Sequence, residues 1–480
     1  MEDKTFVIDI IRYTIIILSA IMLLFCLVVK SPIGLFYAVT LLWLQNIIFA
    51  CQKLFIRSAL FCFHIAFFVF LLGSTLISYI ETGESLYYFD SAIEIHTYFS
   101  LYISLLLLYI TYCYLEKKQL VDTFIKPNLE NEDFIYYIRL ASLLIIYVTF
   151  IPYLLNIYEK IDYVANTSYS QIYLRDSSNL PTIVQKVSQL FVPALFVYLG
   201  TMPSKLKAMV PIIMYVVANV WSVRAGARAN FARSIMVIFF YFLARDRWLK
   251  EGEKRWIGKK ELIGLVVLVP FLILFMYNIG HTRWGSSETA VSMFQGIKNF
   301  FIEQGVSLQV IEFGKRFQDQ LPDNSYVIGP LSNIYKRISF LKSIFNFDSY
   351  GRQTVESALY GTKFSDALSY LAMPVRYLQG YGLGSSYIAE VYQCYSYIGV
   401  GLINILYGIV FQFIDRWYGK NYWVTAFLLF MLYRLIYAPR AQAVDFISET
   451  FIATNVFVFL GIYIVAVILL DVAKKRKYQS

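Results

Sequence analysis

The chain of 480 residues is 58% hydrophobic and 15% charged, with a mean hydropathy of +0.58. A sequence this apolar has too little polar surface to cover a core in water, which excludes a soluble globular protein and makes lipid its solvent. The formal charge of +10 does not point to nucleic acid, because the basic residues fall in short clusters between apolar runs and not on one soluble domain.

Apolar runs long enough to cross about 30 Å of hydrocarbon lie near residues 10–29, 33–50, 59–80, 96–115, 135–156, 183–201, 208–222, 231–248, 261–280, 391–414, 422–438 and 449–471. They predict an all-α, polytopic integral membrane protein of about twelve transmembrane helices. Three regions follow. Residues 1–280 hold nine spans with short loops, 281–390 form one large loop, and 391–480 hold three spans and a basic tail. The first run follows Met1-Glu2-Asp3-Lys4 and precedes no small-residue cleavage site, so it predicts a retained span.

Lysine and arginine of short loops gather on the cytoplasmic side. The tail Lys474-Lys475-Arg476-Lys477 and the stretch with Arg245, Arg247, Lys250, Lys254, Arg255, Lys259 and Lys260 both face the cytoplasm if the spans number twelve, as a count of eleven or thirteen would not allow. That count puts both termini inside and the large loop outside, together with the acidic connection Glu81, Glu84, Asp90 and Glu94. Within the loop, apolar residues recur at three and four over 291–317, predicting an amphipathic helix or helix pair. Residues 326–347, with Lys336, Arg337 and Lys342, predict a helix along the membrane surface, and 355–371 a further helix. Pro374, Gly380, Gly382 and Gly384 then break the chain before it re-enters the bilayer.

Cations in short outer connections are the exceptions to the charge rule. Arg224, Arg228 and Arg233 crowd one tight turn that carries no acid, and Arg434 and Arg440 lie at the outer end of the eleventh run. An arginine at the centre of a membrane helix costs roughly 2.5–3.5 kcal/mol, less near the interface, and is usually kept for a partner. Guanidinium matches phosphate with two parallel hydrogen bonds, so arginines without neighbouring acids suggest a phosphate or pyrophosphate ligand. Arg224 and Arg228, four apart, are expected on one face of a helical turn, with Asn230 capping the next span. Arg283 and Arg376 are further phosphate candidates. The competing reading is that these side chains snorkel to ordinary lipid head groups.

His281, at the outer end of the ninth span, and Glu390, at the start of the tenth, are the candidate bases for a sugar hydroxyl. Each also has a plain explanation, as an interfacial polar group and as an acid at a helix N-terminus. Glu390 has a third role open to it, as a clamp orienting an arginine. Tyr387 offers a ring face and a hydroxyl to sugars. Five cysteines lie in or beside apolar runs without metal-ligand spacing, and three histidines are scattered, so neither a metal nor a cofactor is expected. Motifs for nucleotide or metal chemistry in a soluble domain are missing. The substrate must then arrive already activated and already in the membrane, as polyprenyl pyrophosphate-linked sugars do.

The multi-span plan with one large outer loop, the turn Arg224-Ala-Gly-Ala-Arg228, and the run Gly380-Tyr-Gly-Leu-Gly-Ser-Ser-Tyr-Ile-Ala-Glu390-Val-Tyr resemble the Wzy-type O-antigen and capsular polysaccharide polymerases. Tyr397-Ile-Gly399-Val-Gly401 and Phe364-Ser-Asp366-Ala-Leu add to the likeness. The resemblance implies a metal-independent, GT-C-like glycosyltransferase of the bacterial inner membrane whose large, partly helical loop and active site are periplasmic. Its donor would be the growing glycan on undecaprenyl pyrophosphate and its acceptor a single lipid-linked repeat unit. A chain-length regulator protein is an expected partner, and nucleic acid is not. Two alternatives stay open: a ligase that moves finished polymer to a lipid A core, which would use the same leaving group, and a lipid-linked oligosaccharide flippase.

Overall fold

The computed structural model describes the chain except for residues 1, 86–88, 119–131, 176, 250–251, 283–291, 333, 335–349 and 480, and the side chains of 2–5, 259, 279–282 and 477–479. Among the described residues there are helices and turns and no β-strand. In chain order the first nine long helices are α1 (Glu2–Val29), α2 (Pro32–Gln52), α3 (Ser58–Thr82), α4 (Ser91–Lys118), α5 (Glu132–Asn166), α6 (Thr182–Gly200), α7 (Lys205–Ser222), α8 (Arg228–Arg245) and α9 (Lys259–Thr282). Five helices of the large loop follow: α10 (Met293–Gln304), α11 (Val306–Arg316), α12 (Val355–Tyr360), α13 (Phe364–Ala372) and α14 (Pro374–Leu378). The chain closes with α15 (Tyr387–Trp417), α16 (Tyr422–Leu435) and α17 (Ala453–Gln479).

Every predicted apolar run falls on a helix. Among the described residues, 10 helices are long and apolar enough to cross a membrane, so the chain is a multi-pass membrane protein. The run 231–248 falls on α8, whose 18 residues include Arg228, Arg233 and Arg245. The run 422–438 falls on α16, which at 14 residues is shorter than the roughly 20 that a straight crossing takes.

The packing centre is α4, held between α2 and α15. Its Thr97, Ser100 and Ser104 turn their hydroxyls back onto the carbonyls of Ile93, His96 and Ser100 at 2.7–2.9 Å, which satisfies them inside the helix and leaves a slim surface. On α15, a Cβ at Gly408 would lie 2.8 Å from the Thr111 side chain and 3.0 Å from the Leu108 carbonyl, so the two backbones approach as closely as only glycine allows. Where α15 ends, the buried Asp415 accepts hydrogen bonds from the backbone N–H of Ala59 (2.9 Å) and Leu60 (3.4 Å) and from the Tyr112 hydroxyl (3.0 Å). It thus satisfies donors that the first turn of α3 leaves unpaired.

Two irregularities shape the opposite end, which carries the large loop. Within α3, residues Phe68–Leu72 form a π-helical turn. Within α15, Ser396 takes φ 51° and ψ −153°, a region that only glycine visits freely, so the helix is broken there. The amphipathic stretch 291–317 is a helix pair, α10 and α11, joined by Gly305 alone. A Cβ on Gly305 would meet Ser74 Oγ at 2.2 Å, which shows how tightly the pair seats on α3. The stretch 355–371 divides into α12 and α13 around Gly361. Most of the predicted surface helix 326–347 lies outside the described residues; its visible start is a turn and the short 3-10 helix Gly329–Ser332.

Candidate functional site

The arginine turn is not one helical face. After α7 the chain makes a 3-10 turn, Val223–Ala225, and Gly226 reverses it at φ 91° before α8 begins at Arg228. Glycine is needed at that angle, and the reversal separates Arg224 from Arg228. The start of α8 also corrects the expected role of Asn230. Ala227 occupies the N-cap, and the Asn230 side chain instead accepts a hydrogen bond from Arg233 at 2.5 Å.

Three segments bring their arginines into one string of contacts. Arg228 donates to Glu303 Oε2 at 3.2 Å and to the Met276 carbonyl at 3.4 Å. The next residue of α10, Gln304, accepts from Arg440 at 3.1 Å. Arg440 lies over the Phe70 ring at 5.8 Å, on the π-helical turn, and Phe70 packs edge-on against Tyr437 at 5.1 Å. Arg233 stacks over Tyr437 and Tyr433 at 4.9 and 4.8 Å, and Arg434 over Tyr433 at 5.6 Å. Ring faces hold a cation while it keeps its full charge. The expectation that these arginines lack acids is corrected at two of them. Glu303 reaches Arg228 from 75 residues away, and Glu449 accepts from Arg434 at 3.3 Å.

The other candidates divide. Arg224 is exposed, and no hydrogen bond or ion pair among the described residues involves its side chain. Arg376 is exposed on α14, and among the described residues nothing links it to the arginine string. The His281 side chain and Arg283 lie outside the described residues. Tyr387, expected to meet sugars, is fully buried, donates its hydroxyl to Asn404 at 2.9 Å and packs on Tyr407, so it presents no face to a ligand.

Glu390 is fully buried too, with both oxygens engaged: Oε1 accepts from the Ser385 hydroxyl at 2.5 Å and Oε2 from the Ala443 N–H at 2.7 Å. Tyr407 donates to the Ala443 carbonyl at 2.8 Å. The backbone N–H and C=O of Ala443, three residues beyond Arg440, are therefore both anchored to α15. This geometry suits the clamp that orients an arginine.

Glu303, Gln304, Phe70, Tyr433 and Tyr437 went unnoticed in the sequence. The aromatic pair had a readable sign, since Tyr433 and Tyr437 sit four apart on either side of Arg434. Glu303 and Gln304 had none. A second overlooked acid is Glu312, 1% exposed on α11, with Oε2 unbonded among the described residues. Burial, and then the nearby Glu94 carboxylate, push its carboxyl up to about 8. From the ordinary carboxyl value up to about 8, the unfolded chain is ionised while the folded one keeps the proton, so stability falls as pH rises and levels off beyond it. Glu312→Gln is expected to flatten that decline, which thermal unfolding of the purified protein from about pH 5 to about pH 9 measures.

Residues 10–472 match the family model described as O-antigen polysaccharide polymerase Wzy. No curated protein and no solved structure matches the chain. A polymerase match over nearly the whole chain does not favour the ligase or the flippase. The chain belongs to the O-antigen polysaccharide polymerase Wzy family, multi-pass membrane glycosyltransferases that join lipid-linked oligosaccharide repeat units.

Proposed function

We propose that the arginine string, together with Arg224, holds the pyrophosphate of an undecaprenyl-linked donor while its glycan passes to a second lipid-linked unit. The acceptor hydroxyl attacks the anomeric carbon of the donor's first sugar. A new carbon–oxygen bond forms, the bond from that carbon to the pyrophosphate oxygen breaks, and undecaprenyl pyrophosphate leaves with the bonding pair. Fixed cations beside the departing phosphates stabilise the charge that develops, without a metal. The hydroxyl proton goes to a base, for which His281 is the candidate now that Glu390 has both oxygens engaged. In this reading Arg283 and Arg376 contact phosphates elsewhere along the lipid-linked substrates.

The architecture we propose is GT-C-like with twelve spans in three regions, 1–280, 281–390 and 391–480. Both termini are cytoplasmic, the large loop and the active site face the periplasm of the bacterial inner membrane, and a chain-length regulator binds the polymerase. The observation that carries the reading is the convergence of Arg228, Arg233, Arg434 and Arg440 from three separate segments, with only two of them paired to a carboxylate among the described residues. The test is Arg224→Ala with Arg228→Ala in cells without the native copy. Lipopolysaccharide carrying a single repeat unit, from a protein that still inserts, supports the site. Normal ladders on a gel refute it.

A further inference from the structure

Resting on the pyrophosphate reading, we propose that Glu303 is a specificity-determining residue. It competes for Arg228, so that a glycan joined to its lipid through pyrophosphate is held and one joined through a single phosphate is held poorly.

The argument starts from the last turn of α10. Two consecutive side chains there face two arginines from distant segments, Glu303 to Arg228 at 3.2 Å and Gln304 to Arg440 at 3.1 Å. Adjacent oxygens bridging two guanidinium groups form the pattern that the two phosphates of a pyrophosphate would present. The C-terminal end of a helix adds partial negative charge at the same place. The two partners nevertheless differ in charge. Gln304 is neutral, and among the described residues no carboxylate pairs with Arg440, whereas Glu303 pairs with Arg228. Both members of the ion pair are part-exposed, 22% and 34%, so the carboxylate can swing into water when displaced. The helix itself is tied down elsewhere, by Lys298 to Glu81 and by Asn299 to the Tyr277 hydroxyl, so the exchange takes place at one side chain.

Charge then sorts the ligands. A glycan lipid with one bridging phosphate carries one negative charge, and displacing a carboxylate with it gains nothing. A pyrophosphate bridge carries two charges and spans both arginines, so it repays the displacement. A repulsive element aimed at the wrong ligand is a common source of specificity.

The test uses the purified full-length protein in lipid nanodiscs, with a sugar joined to polyprenol through pyrophosphate and the same sugar joined through a single phosphate as competing inhibitors of polymerisation, so that the two bridges carry two charges and one. The pyrophosphate is expected to be the stronger inhibitor of the wild type. Glu303→Gln narrows the ratio of the two potencies by roughly tenfold, chiefly by tightening the monophosphate, and Glu303→Asp keeps it. Should the amide variant insert poorly, Glu303→Ala reports the same ratio. An unchanged ratio in the neutral variants, with Arg228→Gln weakening both inhibitors, overturns the inference and leaves the pyrophosphate site standing. If Arg228→Gln leaves both potencies unaltered, the site itself is refuted.

Discussion

Cells whose only copy carries Arg228→Ala and Arg440→Ala will display lipopolysaccharide with one repeat unit and no ladder. Each substitution removes charge-assisted hydrogen bonds worth about 1.5–3 kcal/mol to a phosphate. Removing a single donor aimed at charge developing in a transition state typically costs about 10²–10³ in rate. Two such losses at one leaving group exceed what slow growth of a polymer can absorb. The fold should tolerate both changes. Arg440 leaves behind only a neutral amide, and Arg228 leaves a Glu303 side chain that is 34% exposed and can hydrate. Membrane extracts should therefore hold the double variant at wild-type levels. Lysine at either position should not restore the ladder, because an ammonium cannot supply the paired donors of guanidinium. A full ladder from the double variant would remove the arginines from the reaction.

Glu390→Ala is expected to damage both stability and polymerisation. It strips the acceptor from the Ala443 N–H inside a fully buried site, and each buried donor left without a partner costs about 1–3 kcal/mol. Ala443 is then held to α15 by the Tyr407 bond alone, and the loop that carries Arg440 loses its register. Glu390→Gln should be milder, since its amide oxygen still accepts from Ala443 while the Ser385 hydroxyl turns round to accept. Thermal unfolding and the gel ladder, measured on both variants, separate the two effects. Wild-type activity in the alanine variant would show that Arg440 does not depend on this clamp.

How much of this could be read from the chain depends on the distance between partners. Spans announce themselves, because about 20 consecutive apolar residues have few other uses, and the helix pair at 291–317 betrayed itself by spacing. Arg224, Arg228, Arg233 and Arg440 were visible as cations in short connections without neighbouring acids. Their surroundings were not. Glu303 lies 75 positions from Arg228, and Ala443 lies 53 from Glu390. No local pattern reports a contact closed by the packing of other helices. Asn230 failed for a different reason: a glycine reversal at Gly226 let α8 begin sooner than the apolar run suggested. Tyr387 was misjudged because an aromatic residue beside polar loop sequence looks available, while its hydroxyl had a buried acceptor in Asn404, 17 residues further along α15.

The extra residue wound into Phe68–Leu72 gives the site a dependence on chain length. Each residue of an α-helix advances its side chains by about 100°. A π turn absorbs one such step, so removing a position there would tighten it to an ordinary α-helix and take away the widened backbone that sets Phe70 against Arg440. A one-residue deletion in that largely buried stretch, conservative by composition, would disturb a cation cradle built from helices elsewhere in the protein.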